Sequence, residues 1–109
     1  MTTFLDGPAE AIRLMLKTSP MFLRVVHGAN GKWDALDLPS DEPRKDETVY
    51  AYRLSAHLGN WHINMGRKGG GFYPMSEYRY VAIQPDERMM RDGDRWAAWI
   101  QNQTKDIPE

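Results

Sequence analysis

Alternation of apolar and polar residues is the main pattern in this chain, and it predicts β-strands over most of its length. From Glu47 to Ser55 the alternation places Tyr50, Tyr52 and Leu54 on one strand face. Trp33 marks one further short strand-like piece. Three other segments are rich in the β-branched and aromatic residues that favour strands: Met21 to His27, Trp61 to Met65 and Glu77 to Gln84.

Turn signals separate these segments and predict how they are connected. Asp6-Gly7-Pro8, Gly28-Ala29-Asn30-Gly31 and Leu58-Gly59-Asn60 combine residues that tolerate or impose turn conformations. The stretch from Pro39 to Asp46 holds two prolines and many charged residues, which is typical of a surface loop. Short connections without helical crossovers favour an antiparallel sheet.

The segment from Ala9 to Lys17 is ambiguous. Its residues are good helix formers, but Ile12, Leu14 and Leu16 also alternate with more polar neighbours. Because Thr18-Ser19-Pro20 forms a tight connection to the next strand, we favour a β-hairpin of the two halves over a helix–strand unit.

Helical periodicity appears only near the C-terminus. Trp96, Trp99 and Ile100 are spaced i, i+3 and i+4, which puts them on one helix face. Asp92 or Asp94 is a suitable N-cap for a helix that continues to Gln103. We therefore expect an α+β fold, in which about five or six strands form a curled, mostly antiparallel sheet with this helix packed on it.

Composition is consistent with one folded domain covering residues 1–109. Hydrophobic residues make up 41% of the chain and charged residues 27%, which is near the globular average. A chain of 109 residues is long enough to bury a hydrophobic core without disulfides or metals. Disorder along the whole chain is therefore not expected.

Charge and cysteine content narrow the classes of function. The 14 Lys and Arg balance 15 Asp and Glu, so no overall field attracts nucleic acid or anionic membranes. With no cysteine there is neither a thiol nucleophile nor a disulfide, as is common in the cytoplasm. The sequence shows no membrane-spanning apolar run. We expect a cytoplasmic protein without a membrane partner.

Several short words across the chain carry a family resemblance. Leu5-Asp6-Gly7-Pro8, Leu23-Arg24-Val25-Val26, Val49-Tyr50-Ala51-Tyr52-Arg53 and the terminal Trp96-Ala97-Ala98-Trp99 resemble segments of small uncharacterised proteins encoded by bacteriophages and prophages. The resemblance implies a phage origin, an accessory role and a location in the host cytoplasm. It carries no catalytic or binding residue to transfer.

The Gly66–Gly71 segment is the sharpest local motif. Four glycines free the backbone to present N–H groups to an anion, and two cations stand beside them. It lacks the order of residues of a Walker A or dinucleotide motif, and a flexible hairpin tip has the same composition. If the segment binds a nucleotide-like anion, the ligand-binding residues are Arg67, Lys68, Gly69, Gly70 and Gly71, with Tyr73 or Trp61 stacking on a base.

No arrangement of residues predicts catalysis or a metal. His27, His57 and His62 lack the spacing of a zinc site, although Asp34 or Asp37 would be an available carboxylate. No serine stands in a nucleophile elbow. We therefore assign no catalytic residue, no metal ligand and no cofactor.

Aromatic residues give the strongest indication of binding. Trp, Tyr and Phe make up 11% of the chain, and one short helix can bury only one sheet face, so some aromatics must line a second core layer, a pocket or a subunit contact. The leading hypothesis is a non-enzymatic phage accessory protein that binds a host protein, such as a defence or regulatory component, through an aromatic and charged surface. One alternative is a protein that sequesters a nucleotide-like anion, and a homo-oligomer is compatible with this role. A small enzyme is the other alternative.

Overall fold

Six strands in one sheet and two C-terminal helices make up the architecture of this computed structural model, which describes residues 1–38, 40–64 and 70–105. In chain order the elements are β1 Thr2–Phe4, β2 Arg13–Leu14, β3 Phe22–His27, β4 Trp33–Leu36, β5 Thr48–Asn64, β6 Gly70–Tyr80, α1 Glu87–Arg91 and α2 Gly93–Lys105. The expected α+β fold is confirmed.

The sheet has the strand order β2-β1-β6-β5-β3-β4. All neighbouring strands run antiparallel except β1 and β6, which are parallel. The long strands β5 and β6 therefore lie in the centre, and the short strands β2 and β4 form the edges. This arrangement confirms the prediction of a curled, mostly antiparallel sheet with a C-terminal helix packed on it.

One face of the sheet, the helix face, is covered by α1 and α2. Its core contains six buried residues from both strands and helices: Phe22, Val26, Val49, Ala51, Met90 and Trp96. Trp99 packs edge-on against the Phe22 ring, with 5.0 Å between the ring centroids. The apolar stripe predicted for the C-terminal helix thus docks into a core.

Arg24 is a fully buried cation within the helix face. Its Nη1 donates to the Met90 carbonyl at 2.9 Å, and its Nη2 donates to the carbonyls of Leu38 and Asp41 at 2.9 and 2.6 Å. Burial lowers the Arg24 pKa, while Asp41 and Glu42 act in the opposite direction. Arg24 therefore connects the end of α1 to the loop that follows β4.

The strand predicted from Glu77 to Gln84 ends earlier, because β6 stops at Tyr80. The side chain of Gln84 then takes the place of a strand backbone: its Oε1 accepts from Ala51 N at 2.7 Å, and its Nε2 donates to Ala51 O at 2.9 Å. The chain can thus turn towards α1 while Ala51 keeps its hydrogen bonds.

Aspartates begin both helices. Asp86 Oδ1 accepts from Arg88 N at 2.8 Å and caps α1. Asp92 Oδ1 accepts from Asp94 N at 2.9 Å and from Arg95 N at 3.2 Å, so Asp92 caps α2. Each carboxylate satisfies amide groups that lack partners inside the helix. Of the two candidates for the α2 cap, Asp92 is the one that the structure selects.

The other face of the sheet, the aromatic face, has its own core, made of Phe4, Ala9, Leu16, Leu23, Val25, Tyr52 and Tyr78. No helix covers this core within the described residues. It lies under residues 5–21, which we call the cover segment. Buried tyrosines hold the segment: Tyr52 Oη accepts from Ala9 N at 2.8 Å, and Tyr78 Oη donates to Pro20 O at 2.5 Å.

The predicted hairpin around Thr18-Ser19-Pro20 is wrong. The part from Ala9 to Lys17 contains neither a helix nor a long strand, only β2, which pairs with β1. The following strand, β3, pairs instead with β4 and β5. The physical reason is that the intervening residues are needed to cover the aromatic face, where buried Leu16 and the tyrosine hydroxyls hold them.

The turn predicted at Leu58-Gly59-Asn60 is also wrong, because β5 continues through it. The register with β6 shifts between Leu54 and Ala56 and again between His57 and Asn60. Gly59 has a φ of 110°, which glycine tolerates in such an irregularity. The turn signal therefore marks a β-bulge.

Candidate binding surface

Four partly buried rings form a row on the aromatic face, at the end of the sheet near the β3–β4 turn. They come from four strands: Trp33 from β4, His27 from β3, Tyr50 from β5 and Tyr80 from β6. We call these residues the aromatic row. The strand register explains how they meet, because His27 lies directly opposite Trp33, and Tyr80 lies opposite Tyr52, two residues from Tyr50.

The rings touch one another in sequence along the row. His27 stacks on Trp33 with 4.4 Å between centroids and 21° between planes. Trp33 and Tyr50 are 6.0 Å apart, and Tyr50 and Tyr80 are 6.4 Å apart. Tyr80 also contacts buried Tyr52 at 5.5 Å. The row is thus an outward continuation of the aromatic core.

The β1–β2 connection fixes the Tyr80 end of the row. Asp6 Oδ1 accepts from Tyr80 N at 2.6 Å. Gly7 has a φ of 74°, and a Cβ placed there would lie 2.6 Å from the Tyr80 Cβ and 2.8 Å from the Tyr52 hydroxyl. Only glycine allows so close an approach of backbone to ring. The predicted Asp6-Gly7-Pro8 turn therefore has a packing role beside the row.

The turn at residues 28–31 holds the opposite end. Gly28 N donates to Lys32 O at 2.9 Å, and Asn30 Oδ1 accepts from Lys32 N at 3.0 Å. This tight turn confirms the predicted one and sets β3 against β4 so that His27 faces Trp33. Aromatic composition does not identify His27 as a member of the row, whereas the length of this turn places His27 opposite Trp33.

A polar cleft of about 460 Å³ opens beside the same turn, on the helix face. Two cations, Lys32 and Arg44, line it. The carboxylates of the lining are more numerous: Asp34, Glu42, Asp46 and Glu47. The end of the sheet near the aromatic row thus carries more carboxylates than cations, and the sheet separates these cations from the rings.

Burial is the main cause of the raised pKa values of three groups on the aromatic face. Burial raises the pKa of Tyr78, and Asp37 acts in the same direction. The pKa of Asp37 is itself raised, first by burial and then by Asp34 and Asp41. Burial also raises the pKa of Tyr52. The two buried hydroxyls therefore remain neutral hydrogen-bonding groups, which suits their role in holding the cover segment.

The structure brings together only part of the ligand site predicted from the sequence. Arg67, Lys68 and Gly69 lie outside the described residues. Gly70 and Gly71 begin β6. Trp61 is opposite Tyr73 in the β5–β6 ladder, and Tyr73 is partly buried.

Other chemically active side chains are placed apart. His57 is exposed and pairs in register with Ser76, which is 2% exposed. The Ser76 hydroxyl is 2.5 Å from the Ser19 hydroxyl, and this contact ties the cover segment to β6. In the described part of the chain, no three His, Asp or Glu side chains are grouped so that they would hold a metal ion.

Comparisons with known proteins add no relative. The chain matches no protein-family model, and no curated protein or solved structure matches it significantly. The resemblance to bacteriophage proteins therefore stays a prediction. Among the described residues, no helix is long and apolar enough to cross a membrane.

Proposed function

We propose that the protein is a non-enzymatic binding protein that recognises a partner protein through the aromatic row. One observation carries the proposal: four partly buried rings from four strands lie in contact on one surface. Tryptophan and tyrosine dominate the energetics of protein interfaces, because they bury a large area at a low entropic cost.

The shape of the surface favours a macromolecule over a small ligand. The rings of the row line none of the three clefts that open at Lys32, at Trp99 and at Arg53. A small molecule needs a concave site that buries most of its surface, whereas a protein partner binds to open and nearly flat surfaces. A row of rings outside these clefts suits the second kind of ligand.

The surrounding charge favours a protein over a nucleic acid. Asp6 lies at the Tyr80 end of the row, and carboxylates outnumber cations in the cleft beside the other end. A single-stranded nucleic acid also stacks on aromatic rings, but it requires a cationic groove for its phosphates. The bacteriophage resemblance makes a bacterial host protein the expected partner.

The test begins with the tagged chain as bait in a bacterial lysate. Trp33→Ala and Tyr50→Ala baits, checked for folding by near-ultraviolet circular dichroism, remove one ring each. Met89→Ala is the control, because Met89 is 40% exposed and lies on α1, away from the row. We expect one host protein to bind the wild type and the control but neither ring variant.

Titration calorimetry with the purified partner then gives the size of the effect. Loss of an interface hot spot costs about 2 kcal/mol or more, which corresponds to about a 30-fold weaker Kd. Equal affinity of all four proteins would contradict the proposal. A wild-type dimer that becomes monomeric on Trp33→Ala would contradict it as well, since the row would then bind a second copy of this chain.

A further inference from the structure

A pair of arginines on the helix face lies outside the area that the helices cover. Arg53 of β5 and Arg79 of β6 are directly opposite each other in the strand register. Both side chains are exposed. Like charges at directly opposite positions destabilise a sheet, so the pair has a cost that a bound anion would remove.

The two arginines line one small pocket of about 210 Å³ together with Leu54 and Ser55. Ser55 lies at the register irregularity between Leu54 and Ala56, and it adds a hydroxyl to the lining of the pocket. The volume equals about seven liquid waters at about 30 Å³ each. The pocket therefore has room for a small anion such as phosphate.

The two guanidinium groups are only weakly satisfied. Arg79 Nη1 is 3.6 Å from Asp6 Oδ2, which is beyond hydrogen-bond distance. The side chains of Arg79 and Asp6 are 61% and 46% exposed. The Arg53 guanidinium carbon lies 5.9 Å from the centroid of the Phe22 ring, which orients it without neutralising it. Glu77, two residues before Arg79 on the same strand face, makes no ion pair with either arginine among the described residues.

We propose that Arg53, Arg79 and Ser55 form a binding site for the phosphate group of a small molecule. Two planar guanidinium groups and one hydroxyl offer donors to all three oxygens of a phosphate monoester, and two positive charges match its two negative charges. A carboxylate has two oxygens and one charge, so it uses the site incompletely. This inference is independent of the proposed partner protein, because strand alternation puts Arg53 and Arg79 on the face opposite the aromatic row.

The test is a titration of the ¹⁵N-labelled full chain at low salt, followed through the backbone amides of residues 53–55 and 79. Inorganic phosphate, glucose 6-phosphate and adenosine monophosphate distinguish the sources of the group, and acetate at equal ionic strength is the control. We expect saturable shifts with each phosphate and none with acetate. Equal response to acetate would overturn the proposal.

Matched variants locate the site. Arg53→Gln and Arg79→Gln should each weaken phosphate binding about 10-fold or more, whereas Arg13→Gln on β2 should leave it unchanged. Asp6→Asn keeps an oxygen for Tyr80 N but removes the competing charge, so it should tighten binding two- to threefold. If Arg13→Gln weakens binding as strongly as Arg53→Gln, the attraction is diffuse and the proposal fails.

The glycine segment provides another control, because Arg67 and Lys68 are the cations that would bind an anion if that segment has a ligand. The double variant Arg67→Gln with Lys68→Gln should bind phosphate as the wild type does. Loss of binding in this variant would overturn the assignment to Arg53 and Arg79.

Arg53→Lys keeps the charge but not the planar fork of donors. It should also weaken phosphate binding, and because this conservative change is not expected to unfold the chain, it separates loss of geometry from loss of folding.

Discussion

The two faces of the sheet are closed by different physical means. On the helix face, Met90 of α1 and Trp96 of α2 pack against apolar residues of strands β3 and β5. On the aromatic face, an irregular segment lies over the core and is held by hydroxyl groups of Tyr52 and Tyr78. Apolar residues at helical spacing close the first face, where Arg24 adds hydrogen bonds to three carbonyls, and hydrogen bonds of two buried tyrosines hold an irregular segment over the second.

This difference explains where a binding surface can form. The helices cover the middle of the helix face with a continuous apolar stripe. Side chains that can contact a ligand on that face therefore lie at its margin, as Arg53 and Arg79 do. The cover segment spans only part of the aromatic face, and the rings beyond its edge remain accessible as the aromatic row. The incomplete covering of one face therefore leaves the surface that we propose for a partner.

The largest expected effect comes from removing the main apolar contact of the helix face. Trp96 is 2% exposed, so Trp96→Ala should destabilise the fold by about 3–5 kcal/mol. In a domain of this size that lowers Tm by more than about 10 °C. Trp99→Ala should have a smaller effect, because Trp99 is only partly buried.

Thermal unfolding followed by circular dichroism measures both changes. Ile83→Ala is the control, since Ile83 is 87% exposed and should leave Tm within about 2 °C. A Trp96→Ala protein that melts within 2 °C of the wild type would show that the helices contribute little to the helix face. The contrast between the two faces would then have no basis.

Arg24→Met tests the polar part of the same face. Methionine fills a similar volume but leaves the carbonyls of Met90, Leu38 and Asp41 without these donors. We expect a loss of about 2–4 kcal/mol, because each buried unsatisfied carbonyl costs about 1–3 kcal/mol and water reaches some of them. Arg95→Met, at an exposed position on α2, is the matched control.

Urea denaturation gives the free energy of unfolding for both arginine variants. A loss below about 1 kcal/mol for Arg24→Met would mean that apolar packing alone closes the helix face. That outcome would make the contrast with the aromatic face stronger, since all the essential hydrogen bonds would then lie on one side of the sheet.

The helix face was largely predictable from the sequence, and the aromatic face was not. Trp96, Trp99 and Ile100 follow the helical period, so local order alone indicated their common face. The cover segment instead obeys contacts such as Tyr78 to Pro20, which are 58 positions apart. Ala11, in a run of good helix formers, has a φ of 67°, which no local propensity indicates.

The candidate sites divide in the same way. Composition indicated that aromatic residues must serve more than one core layer, but only the strand register brings His27 and Trp33 together. Arg53 and Arg79 are 26 positions apart and carry no motif, so their pairing in β5 and β6 became visible only in the fold. The buried role of Arg24 was missed because an arginine in an alternating strand ordinarily faces solvent.

Tyr52→Phe is expected to have an intermediate effect and to act on the aromatic face. The Tyr52 hydroxyl accepts from Ala9 N at 2.8 Å and donates to Asp6 O at 3.0 Å, and the residue is fully buried. Its removal should cost about 1–3 kcal/mol, because the Ala9 amide loses its partner. Tyr50→Phe is the control, since the Tyr50 hydroxyl makes no hydrogen bond within the described chain.

Urea midpoints at constant slope measure this difference, and hydrogen exchange of the Ala9 amide locates it. Faster exchange at Ala9 in Tyr52→Phe than in Tyr50→Phe would support hydroxyl-held closure. Equal stability and equal exchange in both variants would show that the cover segment is held by apolar packing alone, and the two faces would no longer differ in kind.

The smallest effect is expected from Asp37→Asn, and it depends on pH. Burial, Asp34 and Asp41 raise the Asp37 pKa in the folded protein, so the charged carboxylate destabilises the fold above that pKa. As the pH falls through the folded pKa, the group takes up a proton and this cost disappears. Asp37→Asn should therefore stabilise the protein at pH 7, by at most about 0.5 kcal/mol for this partly exposed position, and should have no effect below the unfolded pKa of about 3.9.

Urea denaturation at pH 7 and pH 3 measures the difference, with exposed Asp46→Asn as the control. Asp37 also raises the pKa of Tyr78, whose hydroxyl holds Pro20, so the same change tests whether a carboxylate lies close enough to affect the closure of the aromatic face. A stabilisation that is equal at both pH values would assign the effect to packing and would remove Asp37 from the electrostatics of that face.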